Sequence, residues 1–363
     1  MSSLYYAACC QTAFPCPSDR EEIADRTRKM CTIVEQVVAA YEPFFDVRLF
    51  AFPEFAHAAP IYPDLPTLRT RLALPVPNEF TDQYAKLAKK LGCYIQTGSF
   101  IEWDPTFPDV LFNTTCLIGP EGVLSKYRKV NPWIPWELMA SPHDIKDYPE
   151  CLFPVTETEL GRIGVATCYD WLFPEVIREI ALAGAEVIIR ISAYMDPWGV
   201  TSPMEWWSII NRARAMENMV YVMAVNQGAD RQCYPPFSWP GGSMIVDFDG
   251  RILAQADPGP GEKIVVAPIA IETLRSERAR RVGHHMLAHL RSEAYTYLKR
   301  SYLPPAWVEG ASAEKAWTME TLRRRINQAK KQLETQLTSL AADSDSGKGG
   351  SASESLGNSQ YNP

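Results

Sequence analysis

The sequence predicts a layered α/β fold on two observations. Short β-branched and aromatic runs recur along roughly the first 270 residues, and longer stretches with helical spacing lie between them. At 363 residues and 46% hydrophobic, the chain can bury one large core with an extension, or two modest cores. That composition excludes a disordered or fibrous protein.

Strands are expected at Leu4 to Cys10, Val47 to Phe52, Cys93 to Phe100, Asn113 to Ile118 and Ile163 to Cys168, then at Glu186 to Ile191, Val220 to Val225, Ser243 to Asp247 and Ile264 to Ala267. Ser18 and Glu21 have capping-box spacing ahead of Ile23, Met30, Val34, Val37, Val38 and Tyr41, which recur at helical intervals. Ser202, Pro203 and Glu205 predict the same start for a helix from Pro203 to Asn218, and Pro174 opens another that Gly184 closes. Five prolines between Pro60 and Pro77 read as an ordered loop, neither helix nor strand. Asp249-Gly250 supplies hairpin chemistry rather than a calcium loop. Beyond Ala270 the alternation gives way to charged helical sequence, and the Ser/Gly/Asn-rich residues from Asp343 are expected to be disordered.

Thirty-six Lys and Arg against 43 Asp and Glu give a net charge of -7, so composition offers no basis for binding nucleic acid, and small molecules are the expected partners. The residues from Met1 to Cys10 lack the basic lead-in of a secretory signal. No apolar run approaches the ~18 residues of a membrane span, so a cytoplasmic protein without a membrane partner is expected. Nine cysteines without a Cys-x-x-Cys pair argue against a disulfide framework and a thiolate zinc site; most thiols are expected to be reduced and buried.

Three segments carry candidate chemistry. Cys168 ends the apolar run Ile163-Gly-Val-Ala-Thr and precedes Tyr169-Asp170-Trp171-Leu172-Phe173 and a proline-started helix. A thiol at a strand-to-helix turn sits beside unsatisfied backbone N–H groups, as a cysteine nucleophile requires; the alternative is a small buried hydrophobe. Glu54 follows the strand Phe50-Ala-Phe-Pro, where a carboxylate is either a salt-bridge partner or a base with a raised pKa. Ser125-Lys-Tyr-Arg-Lys129 precedes Val130-Asn-Pro-Trp133-Ile-Pro-Trp136-Glu137, and its cations would ordinarily be a solvated rim.

In this order, the three segments resemble the nitrilase superfamily of carbon–nitrogen hydrolases, from about Leu4 to Ala270. The Tyr-Arg-Lys-x-x-Pro-Trp-x-Pro-x-Glu and Cys-Tyr-Asp-x-x-x-Pro-Glu patterns are most similar to the aliphatic amidase and formamidase branch, as are Glu186 to Met195 and Asn211 to Asn218. The resemblance implies a four-layer αββα sandwich with a helical C-terminal extension. It implies Glu54 as general base, Lys129 as oxyanion-stabilising cation, Cys168 as nucleophile and Glu137 as the branch's additional glutamate. No cofactor and no metal are implied.

The implied activity is hydrolysis of a small carboxamide to an acid and ammonia through a cysteine thioester, with the backbone N–H of Tyr169 as a second oxyanion donor. Trp133, Trp136 and Trp171 are expected to add bulk to the substrate pocket, favouring a very small or a flat aromatic acyl group. Nitrile or carbamoyl-amide hydrolysis by the same triad is the alternative, and an inactive scaffold on this fold is an alternative of another class. Residues 1–270 are expected to be the catalytic domain, 271–341 an arm for homo-oligomers of at least two copies, and 342–363 a disordered tail. His285 and His289 are four apart, but the segment His-His-Met-Leu-Ala-His lacks a metalloprotease glutamate, and a solvated helix face is expected. Asn226 and Gln227 close an apolar strand, open to reading either as cleft residues or as a satisfied strand end.

Overall fold

A computed structural model describes residues 4–16, 19–133, 136–196, 199, 201–299, 302–303, 305 and 318–345. Among the described residues the strands in chain order are β1 (Leu4–Gln11), β2 (Val47–Ala51), β3 (Tyr94–Gln96), β4 (Phe100–Glu102), β5 (Phe112–Gly119), β6 (Gly122–Arg128), β7 (Val155–Thr158), β8 (Gly161–Thr167), β9 (Val187–Ser192), β10 (Tyr221–Asn226), β11 (Met244–Val246), β12 (Ile252–Gln255) and β13 (Lys263–Ala270). The helices are α1 (Arg20–Tyr41), α2 (Leu65–Arg71), α3 (Glu79–Leu91), α4 (Pro174–Leu182), α5 (Trp206–Asn218), α6 (Ile271–Arg280) and α7 (Met319–Asp345).

The first sheet runs β13-β1-β2-β3-β5-β4 with β6 beside β5, and the second runs β12-β11-β10-β9-β8-β7. Strand alternation divides the side chains between layers. Leu49, Ile189 and Val225 are fully buried between the sheets, each worth ~1.5–3 kcal/mol. Phe50 faces outward onto Met30 and Val34 of α1 and Tyr84 of α3. Ile188 and Val222 face outward onto Ile177 and Ile180 of α4 and Trp207 of α5. The result is helix, sheet, sheet, helix.

Several elements differ from the sequence reading. Ser18 lies outside the described residues, and α1 starts at Arg20. The single strand expected from Cys93 to Phe100 is two, because Gly98 passes so close to the turn after β2 that a Cβ there would lie 2.6 Å from Ala56 Cβ and Pro53 O. The proline-rich segment from Pro60 to Pro77 contains α2, whose start tolerates Pro66 and is capped by Asp64 accepting from Thr67 N at 2.7 Å. Helix α5 begins at Trp206 instead of Pro203: Asp196 accepts from Thr201 N and Oγ1, at 3.2 and 2.6 Å, and holds the preceding residues in a turn. Strands β7 and β12 have no range in the expected set; both are sheet edges with little apolar alternation. Asp249-Gly250 does form the β11–β12 turn, with Gly250 at φ 79°.

Cys16 and Cys233 form a disulfide, a single link rather than a framework. Five of the remaining seven thiols are buried, Cys31 is partly so and Cys151 is exposed. Helix α6 still belongs to the packed body: Leu274 is buried, Arg275 binds Glu186 at 2.7 Å, and Arg278 donates to the carbonyls of Met219 and Ala185. Helix α7 buries Leu322 against Val110, Phe112 and Ala140. Most of the tail, 346–363, lies outside the described residues. No helix among the described residues is long and apolar enough to cross a membrane.

Candidate active site

Glu54 leaves β2 on a tight turn closed by Ala56 N to Pro53 O at 3.3 Å, with Phe55 at φ 57° and its N–H donating to Ser99 Oγ at 2.9 Å. From the second sheet's end, Gln227 Nε2 donates to the Glu54 carbonyl at 2.9 Å, and Gln227 itself accepts from Thr12 Oγ1. The carboxylate of Glu54 is 1% exposed as part of its residue, yet fully engaged: Oε1 accepts from Lys129 Nζ and Asn113 Nδ2, both at 2.8 Å, and Oε2 accepts from Ala193 N at 3.0 Å.

Lys129 follows β6, its N–H bound to Asn113 O at 2.9 Å. Its cations do not form a solvated rim. Arg128 is buried against Glu102, with Nη2 to Oε1 at 2.7 Å, while Lys129 points the other way to Glu54 and Glu137. Burial alone would lower the Lys129 ammonium, but the Glu137 and Glu54 charges outweigh it and raise its pKa. For Glu137 burial wins over Lys129, and its carboxyl is raised to about 7. Asn113 Nδ2 also reaches Glu137 Oε2 at 3.3 Å, so one amide ties both acids.

Cys168 sits at φ 47°, opening a 3₁₀ turn over Cys168–Leu172 directly after β8. Asp170 pins that turn to the first sheet. Its Oδ2 accepts from Thr167 N at 3.0 Å and Tyr127 Oη at 2.7 Å, and its Oδ1 accepts from Asn131 N and Nδ2 at 2.8 and 3.0 Å. Since Tyr127 and Asn131 flank Lys129 in sequence, the turn bearing the sulfur is registered against the ammonium. Burial, then the charge of Glu54, raises the Cys168 thiol; Lys129 and Arg190 oppose the rise. Lys129 thus joins Glu54 and Glu137, and Cys168 lines the same cavity as Ala193, whose N–H binds Glu54.

A carbon–nitrogen hydrolase family model matches residues 6–279. The chain belongs to that family. It is similar to formamidases of Bacillus cereus: one from strain Q1 is 31% identical over 268 residues, covering 73% of this chain and 74% of the relative, and one from strain G9842 is 32% identical over 253 residues, covering 69% and 70%. Among solved structures, Saccharomyces cerevisiae Nit3, of branch 10 of the nitrilase superfamily, superposes with a TM-score of 0.63 at 26% identity, covering 77% of this chain and 95% of that one. An amidase mutant from Nesterenkonia sp., which carries the acetamide moiety of fluoroacetamide on its active-site cysteine, shares the fold at TM-score 0.58 and 20% identity, covering 80% and 94%. The protein is therefore a nitrilase-superfamily enzyme that hydrolyses carbon–nitrogen bonds, near the amidase and formamidase branch.

In this hydrolase Cys168 borders a 260 Å³ cavity walled by Trp133, Tyr169, Leu172, Tyr194, Met195 and Trp206. Two of the tryptophans expected in the pocket are elsewhere. Trp171 is 0% exposed in the outer core of the second sheet, its Nε1 donating to Ala166 O at 3.1 Å, because the 3₁₀ turn directs it under α5. Trp136 is 66% exposed and stacks on Trp133 at 5.7 Å. Glu137 and Tyr169 also border a larger cavity of 710 Å³ that Leu322, Arg323 and Ile326 of α7 roof.

Sequence reasoning missed Asn113, Arg190 and Trp206 and gave Asp170 no role. Arg190 interrupts an apolar strand, which is the one local sign of a buried polar partner, whereas Asn113 stands beside two threonines and gives no such sign. His285 engages backbone groups, Nε2 near Arg278 O at 3.0 Å and Nδ1 accepting from Ala288 N at 3.1 Å.

Proposed function

We propose that this hydrolase cleaves small carboxamides to a carboxylic acid and ammonia through a thioester on Cys168. Glu54 takes the S–H proton as sulfur attacks the amide carbon, and Lys129 with the backbone N–H of Tyr169 holds the negative oxygen. When the adduct collapses, protonated Glu54 gives its proton to the departing nitrogen, and ammonia leaves. Water then loses a proton to Glu54 and attacks the thioester, oriented by Glu137. The acid leaves and the proton returns to sulfur.

The observation that carries this reading is Glu54 itself. One carboxylate contacts Lys129 on the first sheet and the Ala193 N–H that borders the Cys168 cavity on the second. The aromatic walls of that 260 Å³ cavity suit a very small or flat acyl group.

The experiment is ammonia release from formamide, short aliphatic amides, benzamide, carbamoyl compounds and nitriles, with peptide mass spectrometry of Cys168 during turnover. Ammonia from short or flat amides with an acyl mass on Cys168 is expected. Preference for nitriles, or for long branched amides, would replace the substrate assignment. No ammonia from any compound would leave a scaffold on a hydrolase fold.

A further inference from the structure

Arg190 lies on β9 between Ala166 of β8 and Ala224 of β10, its register partners, whose small side chains leave room for a guanidinium. It is 0% exposed. Its hydrogen bonds go to neutral groups, Nε to Ser192 Oγ at 3.1 Å and Nη1 to Asn211 Oδ1 at 2.8 Å, while Nη2 is buried without a partner. Three rings surround it: Trp207 at 4.2 Å, Tyr194 at 5.2 Å and Trp171 at 5.5 Å. No carboxylate pairs with it among the described residues. An unpaired buried cation costs several kcal/mol, so a fold that keeps one calls for a compensating charge.

Cys168 supplies it. The sulfur shares the outer core of the second sheet with Trp171, Tyr194 and Trp207, the rings around Arg190, and it follows by two residues Ala166, the β8 partner of Arg190; a negative sulfur there attracts the guanidinium. The charges facing the sulfur are Glu54, Lys129, Arg190 and Glu137; those facing Arg190 also include Tyr194 and Arg214, and Arg214 is paired with Glu217 at 3.0 Å. Asp170, the remaining carboxylate of the turn, accepts four hydrogen bonds. While Glu54 is ionised it opposes a negative sulfur. Once Glu54 holds the proton, Lys129 still pairs with Glu137, and Arg190 is the cation beside the sulfur that no carboxylate pairs among the described residues.

We propose that Arg190 is a positioning residue for Cys168: its guanidinium is the counter-charge that draws the S–H proton to a Glu54 oxygen and leaves the electron pair on sulfur. This rests on the reading of Cys168 and Glu54 as nucleophile and base. Asn211→Asp gives the test variant that best preserves packing. It is isosteric, the Asn211 Nδ2 it replaces has no partner, and it sets a carboxylate on Nη1 that neutralises Arg190 in place.

The measurement is the iodoacetamide alkylation rate of Cys168 against pH in the full chain, resolved from other thiols by peptide mass spectrometry, for wild type, Asn211→Asp, Arg190→Gln and Arg190→Lys. Neutralising or removing the charge moves the inflection up by about one pH unit and slows alkylation below it about tenfold; Arg190→Lys restores most of the rate. An unmoved inflection in folded Asn211→Asp overturns the proposal, even where Arg190→Gln fails to fold. Alkylation needs no substrate, so a shifted inflection without ammonia release would fault the amidase reading and leave the counter-charge standing.

Discussion

The two sheets bring charge to the site under opposite conditions. The first delivers ions already paired: Lys129 bonds both Glu54 and Glu137, and Asn113 ties the two acids. The second delivers a sulfur and a guanidinium among tryptophan and tyrosine rings, with no carboxylate hydrogen-bonded to the guanidinium among the described residues. A paired, buried ion is held still by its hydrogen bonds, whereas an isolated group in an apolar layer responds strongly to any charge that moves nearby. The fixed half therefore sets geometry, and the apolar half sets reactivity.

The largest way to break that contrast is Lys129→Ala, which leaves two carboxylates facing each other in the core. Urea unfolding is expected to lose about 3–5 kcal/mol, and ammonia release at least 10²–10³-fold. Next is His57, buried in the first sheet's outer layer and stacked on Phe100 at 3.8 Å. Burial lowers its pKa from 6.5 to about 3, the Ser99 carbonyl partly offsetting this. Between those values the unfolded chain binds a proton that the folded chain does not, so stability is lost as pH falls below 6.5, by ~1 kcal/mol per pH unit. His57→Gln should flatten that slope relative to wild type in urea titrations; parallel slopes would refute the assignment.

Gln227→Leu sharpens the comparison by cutting two bonds between the halves, to the Glu54 carbonyl and from Thr12 Oγ1. A loss of about 1–3 kcal/mol is expected, with a fall in kcat at unchanged KM in the ammonia assay. The smallest effect belongs to Trp136→Ala: with the ring 66% exposed, the thermal midpoint should shift by less than ~0.5 kcal/mol equivalent.

The elements nearest the site were legible because each is an apolar run stopped by a functional residue: Phe52-Pro53 before Glu54, Ala166-Thr167 before Cys168. Edges were not, because β12 is largely exposed and carries no alternation to read. Trp171 was misplaced because the side it faces depends on the positive φ of Cys168 and the tight turn that follows. Nothing in the spacing marks Cys16 and Cys233, 217 residues apart, as a pair. Arg190 lies inside a strand that the sequence predicts, yet its task is not legible there, since a buried cation is defined by neighbours distant in sequence.

Glu54 is clasped from the far layer at both ends, by Gln227 on its carbonyl and by the Ala193 N–H on its carboxylate. Neither layer alone retains a partial catalyst. During refolding, ammonia release should thus lag the recovery of helix and strand signal and clock the last event, the docking of one sheet upon the other.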